Sequence, residues 1–192
     1  MKALARRSCP RPMPELSSAP TARPGFPLRL AILLLTLSLF GCDHATKIAA
    51  EASLSQGRAV SLVSGVLELR YTPNPDTAFS LFRTLGIAHT PGILMGASVV
   101  ALLGVVVMWI ASRKRASRAQ HVGFALILAG ALGNVVDRAM RGYVVDFIHL
   151  TRWPVFNVAD MSVVAGVILL GLCSLLQKPP AKPSPEAPEA PS

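Results

Sequence analysis

The chain has 192 residues, 52% of them hydrophobic, and a mean hydropathy of +0.49, too apolar for an average soluble domain. Its formal charge of +9 invites a nucleic-acid reading, but the bases sit in clusters that flank apolar runs, which is the pattern of membrane topology rather than of a polyanion site. Cys9, Cys42 and Cys173 form no CxxC pair, and His44, His89, His121 and His149 fall at no metal-ligand spacing, so neither a disulfide framework nor a metal centre is expected.

Residues 1–26 are rich in Pro, Arg, Ser and Ala with no hydrophobic period, and are expected to be a disordered basic extension. The first apolar run extends from Leu28 to about Ile48, broken only by Arg29 near its start and by Asp43 and Lys47 near its end. It approaches the ~20 residues a helix needs to cross a hydrocarbon core of ~30 Å. Asp43 and Lys47 stand four apart in the favourable acid-first order. One reading is a local ion pair with the lysine reaching for the interface; the other has Asp43 organising a polar site on the outer face. Leu39-Phe40-Gly41-Cys42 also invites comparison with a lipoprotein signal ending in a lipidated Cys. Bulky Phe40 and the three further apolar runs speak against it.

In the stretch that follows, Leu67, Leu69 and Tyr71 alternate with Glu68 and Arg70, the period of a half-buried strand. Pro73-Asn74-Pro75-Asp76 has the composition of a turn, and Thr77 to Phe82 that of a second short strand or a segment lying on the membrane. A small β-element would thus cap the outer face. The second apolar run, Pro91 to Ala111, carries no charge; the third, His121 to Val136, extends backward through Ala119; the fourth, Val158 to Leu176, carries only Asp160. The Pro-rich stretch 178–192 is expected to be a disordered tail, leaving residues 27–177 as the folded domain. One basic cluster (Lys2, Arg6, Arg7, Arg11, Arg23, Arg29) precedes the first run and the other (Arg113, Lys114, Arg115, Arg118) follows the second. Both therefore mark one side, the cytoplasmic one. The expected architecture is an α-helical integral membrane protein with four transmembrane helices, both termini inside and the loops 51–90 and 138–157 outside.

The acids carry the chemistry. Asn134-Val135-Val136-Asp137 ends one run, Asn157-Val158-Ala159-Asp160 opens the next, and Asp146 lies between them. Ionisable groups at the edge of a bilayer are costly and are functional candidates by default. If the third helix continues outward, Asn134, Asp137, Arg138 and Arg141 share a face. Taken singly, Asp160 is a helix-end acid and Asp137 a partner for Arg138 or Arg141. Taken together, two carboxylates in one site titrate as a unit, hold a water, deprotonate it and protonate a leaving amine, while Asn amides orient a carbonyl. The echoed phrases pair Asp137 with Asp160, and the position of Asp146 equally permits Asp146 with Asp160. The same acids in a proton-coupled transporter or channel subunit would be expected nearer the membrane midplane.

Four segments in order resemble the bacterial lipoprotein signal peptidase (signal peptidase II) family. They are Asp43-x-x-Thr46-Lys47, then Asn74 through Ala78-Phe79-Ser80, then Gly130 to Arg138 with Gly142 to Ile148, and finally Pro154 to Asp160. The resemblance covers about Leu28 to Leu176. It implies an inner-membrane aspartyl endopeptidase with a small extracytoplasmic β-cradle; membrane lipids are the expected surroundings, and no cofactor and no obligate protein partner are expected. Its substrate would be a prolipoprotein cleaved on the N-terminal side of a diacylglyceryl-modified Cys. The family's catalytic aspartates match Asp146 and Asp160. Asp137 then becomes a supporting residue, with Asp43 and Lys47, while Asn74, Asn134, Arg138 and Asn157 match polar residues around the family's substrate and inhibitor site. Two departures stand out: Asp76 replaces a usual Gly, and the connection from Asp146 to Asp160 is short.

Overall fold

The computed structural model describes residues 26–75 and 91–176. The expectations for residues 1–25, for the segment from Asp76 to Phe82 and for the tail 178–192 lie outside them.

Among the described residues, four helices are long and apolar enough to cross a membrane: α1 (Phe26–Leu54), α2 (Pro91–Ser112), α3 (Arg118–Arg141) and α4 (Val158–Leu176). Three strands, β1 (Ala59–Val63), β2 (Leu67–Asn74) and β3 (Val144–Leu150), form one antiparallel sheet in the order β1-β2-β3. The four expected spans are all present, and the outer ends of two run well past the apolar windows. α1 continues past Ile48 to Leu54, and α3 starts at Arg118 and runs on past Val136 to Arg141. The added outer turns carry Glu51, Asp137 and Arg141, polar residues that ion pairs hold in helical register.

α3 is the central helix: it packs against α1, α2 and most extensively α4. It begins in a capping box, with Ser117 Oγ accepting from the Gln120 N–H and Gln120 Oε1 accepting from the Ser117 N–H, so two otherwise unpaired donors are satisfied. It ends at Gly142, whose φ of 79° is a left-handed conformation that costs a side-chain-bearing residue free energy. That turn sends the chain directly into β3 and so fixes where Asp146 emerges.

The sheet is rooted on the outer end of α1. Ala50 and Leu54 of α1 meet Phe147 of β3, with Leu69, Tyr71, Ile148 and Val158 around them. Of the alternating residues, Leu69 and Tyr71 thus lie on the contact face of β2, while Leu67 to Thr72 are all half-buried. Pro73 and Asn74 belong to the strand, not to a turn as their composition implied. The reason is local: β1 pairs with β2 only as far as Arg70, so the missing N–H of Pro73 faces no partner on that side, while β3 continues to pair through Asn74. β3 itself falls in a stretch expected to be loop. Cys42 lies in the middle of α1 on its exposed side, one residue before buried Asp43. Cleavage there would divide the helix that roots the sheet, which runs against the lipoprotein reading.

Candidate active site

Two polar layers lie where α1, α3 and α4 meet the sheet. The deeper one is an ion cluster. Lys47 is fully buried, with Nζ 2.7 Å from Asp43 Oδ2 and 2.8 Å from Asp137 Oδ2. The local Asp43–Lys47 pair therefore exists, but the lysine does not reach for the interface: it points inward to a second carboxylate. Asp43 Oδ1 accepts the Ala159 N–H at 2.9 Å, tying α1 to the first turn of α4. Gly133 of α3 makes that approach possible, since a Cβ there would stand 2.6 Å from Asp43 Oδ2. Asp137 also pairs with Arg141 one turn on and accepts the Val145 N–H at 3.4 Å. Arg141 in turn reaches Glu51 Oε2 at 3.3 Å. Glu51 and its link to Arg141 were missed by sequence reasoning. The signal was there, because Asp43, Lys47 and Glu51 repeat every four residues and so line one face of α1.

The second layer is a network of amides and carboxylates. Asp146 is buried in β3 and accepts two amide hydrogen bonds, from Asn74 Nδ2 to Oδ2 and from Asn157 Nδ2 to Oδ1, both at 2.7 Å. The first follows from register: Asp146 faces Thr72, and Asn74 is the diagonal neighbour two residues along β2. The second follows from the short connection that set this sequence apart. After β3 the chain turns through Arg152, at φ 68°, and Phe156 returns to pair with Ile148. Asn157 is thereby set against Asp146, and α4 starts one residue later. Asp160 Oδ2 accepts the Asn157 N–H at 3.3 Å, and the Asp160 N–H donates to Asn157 Oδ1 at 2.9 Å, so Asn157 and Asp160 cap one another at the helix start.

Asn134 joins the layers. Its Oδ1 accepts from Lys47 Nζ at 3.1 Å and from Asn157 Nδ2 at 3.3 Å, and its Nδ2 donates to Asp160 Oδ1 at 2.8 Å. An ammonium group only donates, so Lys47 fixes which end of the Asn134 amide faces Asp160. Arg138, one turn beyond, donates to the Asn134 carbonyl at 3.4 Å, and its charge acts on Asp160, Asp146 and Asp137. All nine residues expected at the site, Asp43, Lys47, Asn74, Asn134, Asp137, Arg138, Asp146, Asn157 and Asp160, thus fall in one connected region.

The electrostatics of Asp146 are distinctive. Burial pushes its carboxyl up to about 7; the Asn74 amide pulls it back, the charge of Asp160 raises it again, and Asn157 and Lys47 lower it. A carboxyl that holds a proton near neutrality, electrostatically coupled to a second carboxylate, is equipped for acid–base chemistry on a polar substrate bond.

A membrane-embedded helical body carrying coupled carboxylates defines a polytopic membrane enzyme, and a solved bacterial membrane enzyme shares this fold. The two align with a TM-score of 0.66 at 25% identity, over 77% of this chain and 94% of the other. The chain belongs to the signal peptidase II family, whose sequence model, described as signal peptidase (SPase) II, matches residues 35–176. The lipoprotein signal peptidase of Rhodococcus jostii is 37% identical over 154 residues, covering 77% of this chain and 74% of that protein. That of Xylella fastidiosa strain M12 is 34% identical over 170 residues, covering 86% and 99% respectively. The chain is accordingly a multi-pass membrane peptidase, and a transporter or channel role is not favoured.

Proposed function

We propose that this peptidase hydrolyses diacylglyceryl-modified prolipoproteins on the N-terminal side of the lipidated Cys, with Asp146 and Asp160 as its catalytic pair. The observation that carries the reading is that Asp146, buried and raised to about 7, and Asp160 are both hydrogen-bonded to one residue, Asn157.

In this reading a water lies between the two carboxyls. Asp160 accepts its proton as the oxygen attacks the scissile carbonyl. The tetrahedral oxyanion is met by amide donors and by the Arg138 charge, a preorganised field where negative charge develops. Asp146 then donates its proton to the departing amine, and the C–N bond breaks. Asn74 and Asn157 hold Asp146, Asn134 holds Asp160, and Asp43, Lys47 and Asp137 keep the three helices in register beneath them. The lipid chains and the signal helix of the substrate would lie along the apolar faces of the bundle. The cleavage region sits at the end of the bundle remote from Arg113, Lys114, Arg115 and Arg118. By the positive-inside rule the protein lies in a bacterial inner membrane with both termini cytoplasmic and the site on the outer side.

The direct test is incubation of the purified protein with a diacylated prolipoprotein and with the same precursor lacking diacylglycerol. Release of the signal peptide from the first only is expected. Because Asp146 must carry its proton to act as the acid, kcat/KM should fall as pH rises through about 7. A profile flat between roughly pH 6 and pH 9 would exclude Asp146 from that role, since a general acid must lose function as it deprotonates. Orientation is tested separately. Reporter fusions after Leu176 should behave as cytoplasmic and fusions in the β1–β2 turn at Gly65 as exported. An exported C-terminus would reverse the assignment of sides.

A further inference from the structure

The end of the bundle opposite the aspartates holds a cavity of about 560 Å³, within the ~300–1,000 Å³ common for small-ligand sites. Arg29 and Ile32 of α1, Trp109 at the end of α2, Arg113 and Lys114 just after it, and His121 in the first turns of α3 line it. Arg29, Arg113 and Lys114 bring three basic side chains to the lining of one cavity, a charge that suits an anionic occupant. A second observation points the same way. The Trp109 indole N–H donates to His121 Nδ1 at 2.9 Å. Indole nitrogen is a donor only, so His121 Nδ1 is the acceptor and Nε2 carries the ring proton. His121 is 3% exposed, and its Nε2 has no hydrogen-bond partner among the described residues. A buried donor left unpaired costs free energy, and an acceptor oxygen entering the cavity would recover it. The lower wall at Ile32 is apolar and buried, and the N-terminus of α3 adds its partial positive charge at the same end.

We propose that this cavity is a second binding site, separate from the peptidase centre, for a net-anionic phosphate group. The source is either an anionic phospholipid headgroup or free phosphate. The cations and the His121 donor take the phosphate oxygens, and Ile32 with the Trp109 ring takes the first carbons of an acyl chain. Basic pockets between transmembrane helices have the charge and position to hold such headgroups.

The site carries its own reporter. The chain has two tryptophans, so Trp153→Phe leaves Trp109 as the only indole, at the cavity wall. The full-length protein in zwitterionic detergent is titrated with short-chain phosphatidylglycerol, with short-chain phosphatidylcholine and with inorganic phosphate while Trp109 emission is followed. Saturable change with phosphatidylglycerol or with phosphate, and none with phosphatidylcholine, is expected; the tighter of the two identifies the source. Combining Arg29→Gln, Arg113→Gln and Lys114→Gln, all at exposed positions, should weaken that binding by about ten-fold or more, given the strength of single cation–headgroup attractions. Arg115→Gln with Arg118→Gln, at the same end but not lining the cavity, should change it little. An equal response to phosphatidylcholine, no saturation with either anion, or equal loss in both charge variants would overturn the site.

Discussion

Replacing Asp146 or Asp160 by Asn is expected to lower prolipoprotein cleavage by roughly 10²–10⁴-fold, the range that general acid–base groups contribute. Asn keeps the size of the side chain and removes its capacity to exchange a proton. The double variant should be only slightly worse than either single one, because residues acting as a unit are not additive. Asp146→Asn has a further consequence. The Asn74 and Asn157 amides both donate to this side chain, so one of them must turn to meet the new NH₂ group. Substrate affinity should nonetheless persist, since the lipid and signal helix make their contacts elsewhere in the proposed complex. Asp137→Asn should behave differently. Its carboxylate is committed to Lys47 and Arg141, so partial activity and a lower folded yield are expected. Cleavage rate and substrate affinity for all four variants in one lipid preparation decide the matter. A well-folded but inactive Asp137→Asn beside an active Asp146→Asn would transfer the chemistry to the other pair.

The second large effect is expected at Lys47. Lys47→Met fits the same channel but leaves Asp43 and Asp137 without their shared cation. Breaking a buried ion pair from one side costs about 3–5 kcal/mol, and here two buried carboxylates are left behind. Thermal unfolding in detergent should show a strongly destabilised protein. Adding Asp43→Asn to Lys47→Met should restore part of the loss, because the carboxylate left without a cation is then gone, while Asp137 keeps Arg141. Cleavage should not return with stability, since the Asn134 amide is no longer oriented toward Asp160. An unchanged melting temperature for Lys47→Met would mean that the cluster does not hold the helices together.

These expectations rest on features that the sequence disclosed unevenly. The spans were legible because an apolar window of membrane length has few alternative meanings. Their outer ends were not: Glu51, Asp137 and Arg141 look like loop residues until the ion pairs across α1 and α3 are known. β2 was partly visible from its alternation, whereas Val144 to Phe147 of β3 are all buried and so lack the period of a half-exposed strand. The echoed Asn-x-x-Asp phrases marked the right region but not its internal wiring. Asn134 serves Asp160 of the other phrase, and Asn157 serves Asp146 as well as its own Asp160. Nothing in the spacing could reveal that Lys47, more than eighty positions away, absorbs Asp137. The family resemblance supplied the pairing of Asp146 with Asp160 that residue patterns left open.

The length of α1 also sets a depth gauge. Lys47 lies about 31 Å along the helix from Phe26, at ~1.5 Å per residue, close to the thickness of a hydrocarbon slab of ~30 Å. The ion cluster therefore falls near the waterline when the helix stands upright, and the sheet rooted on Ala50 and Leu54 stands clear of it. Tilting the bundle or thickening the bilayer submerges that anchor together with Asp146, because both are fixed to the same helix. Bilayers differ by a few ångströms in thickness, and proteins answer such mismatch at modest cost. The composition of the surrounding membrane thus governs how wet the aspartates are, with no change in any contact among them.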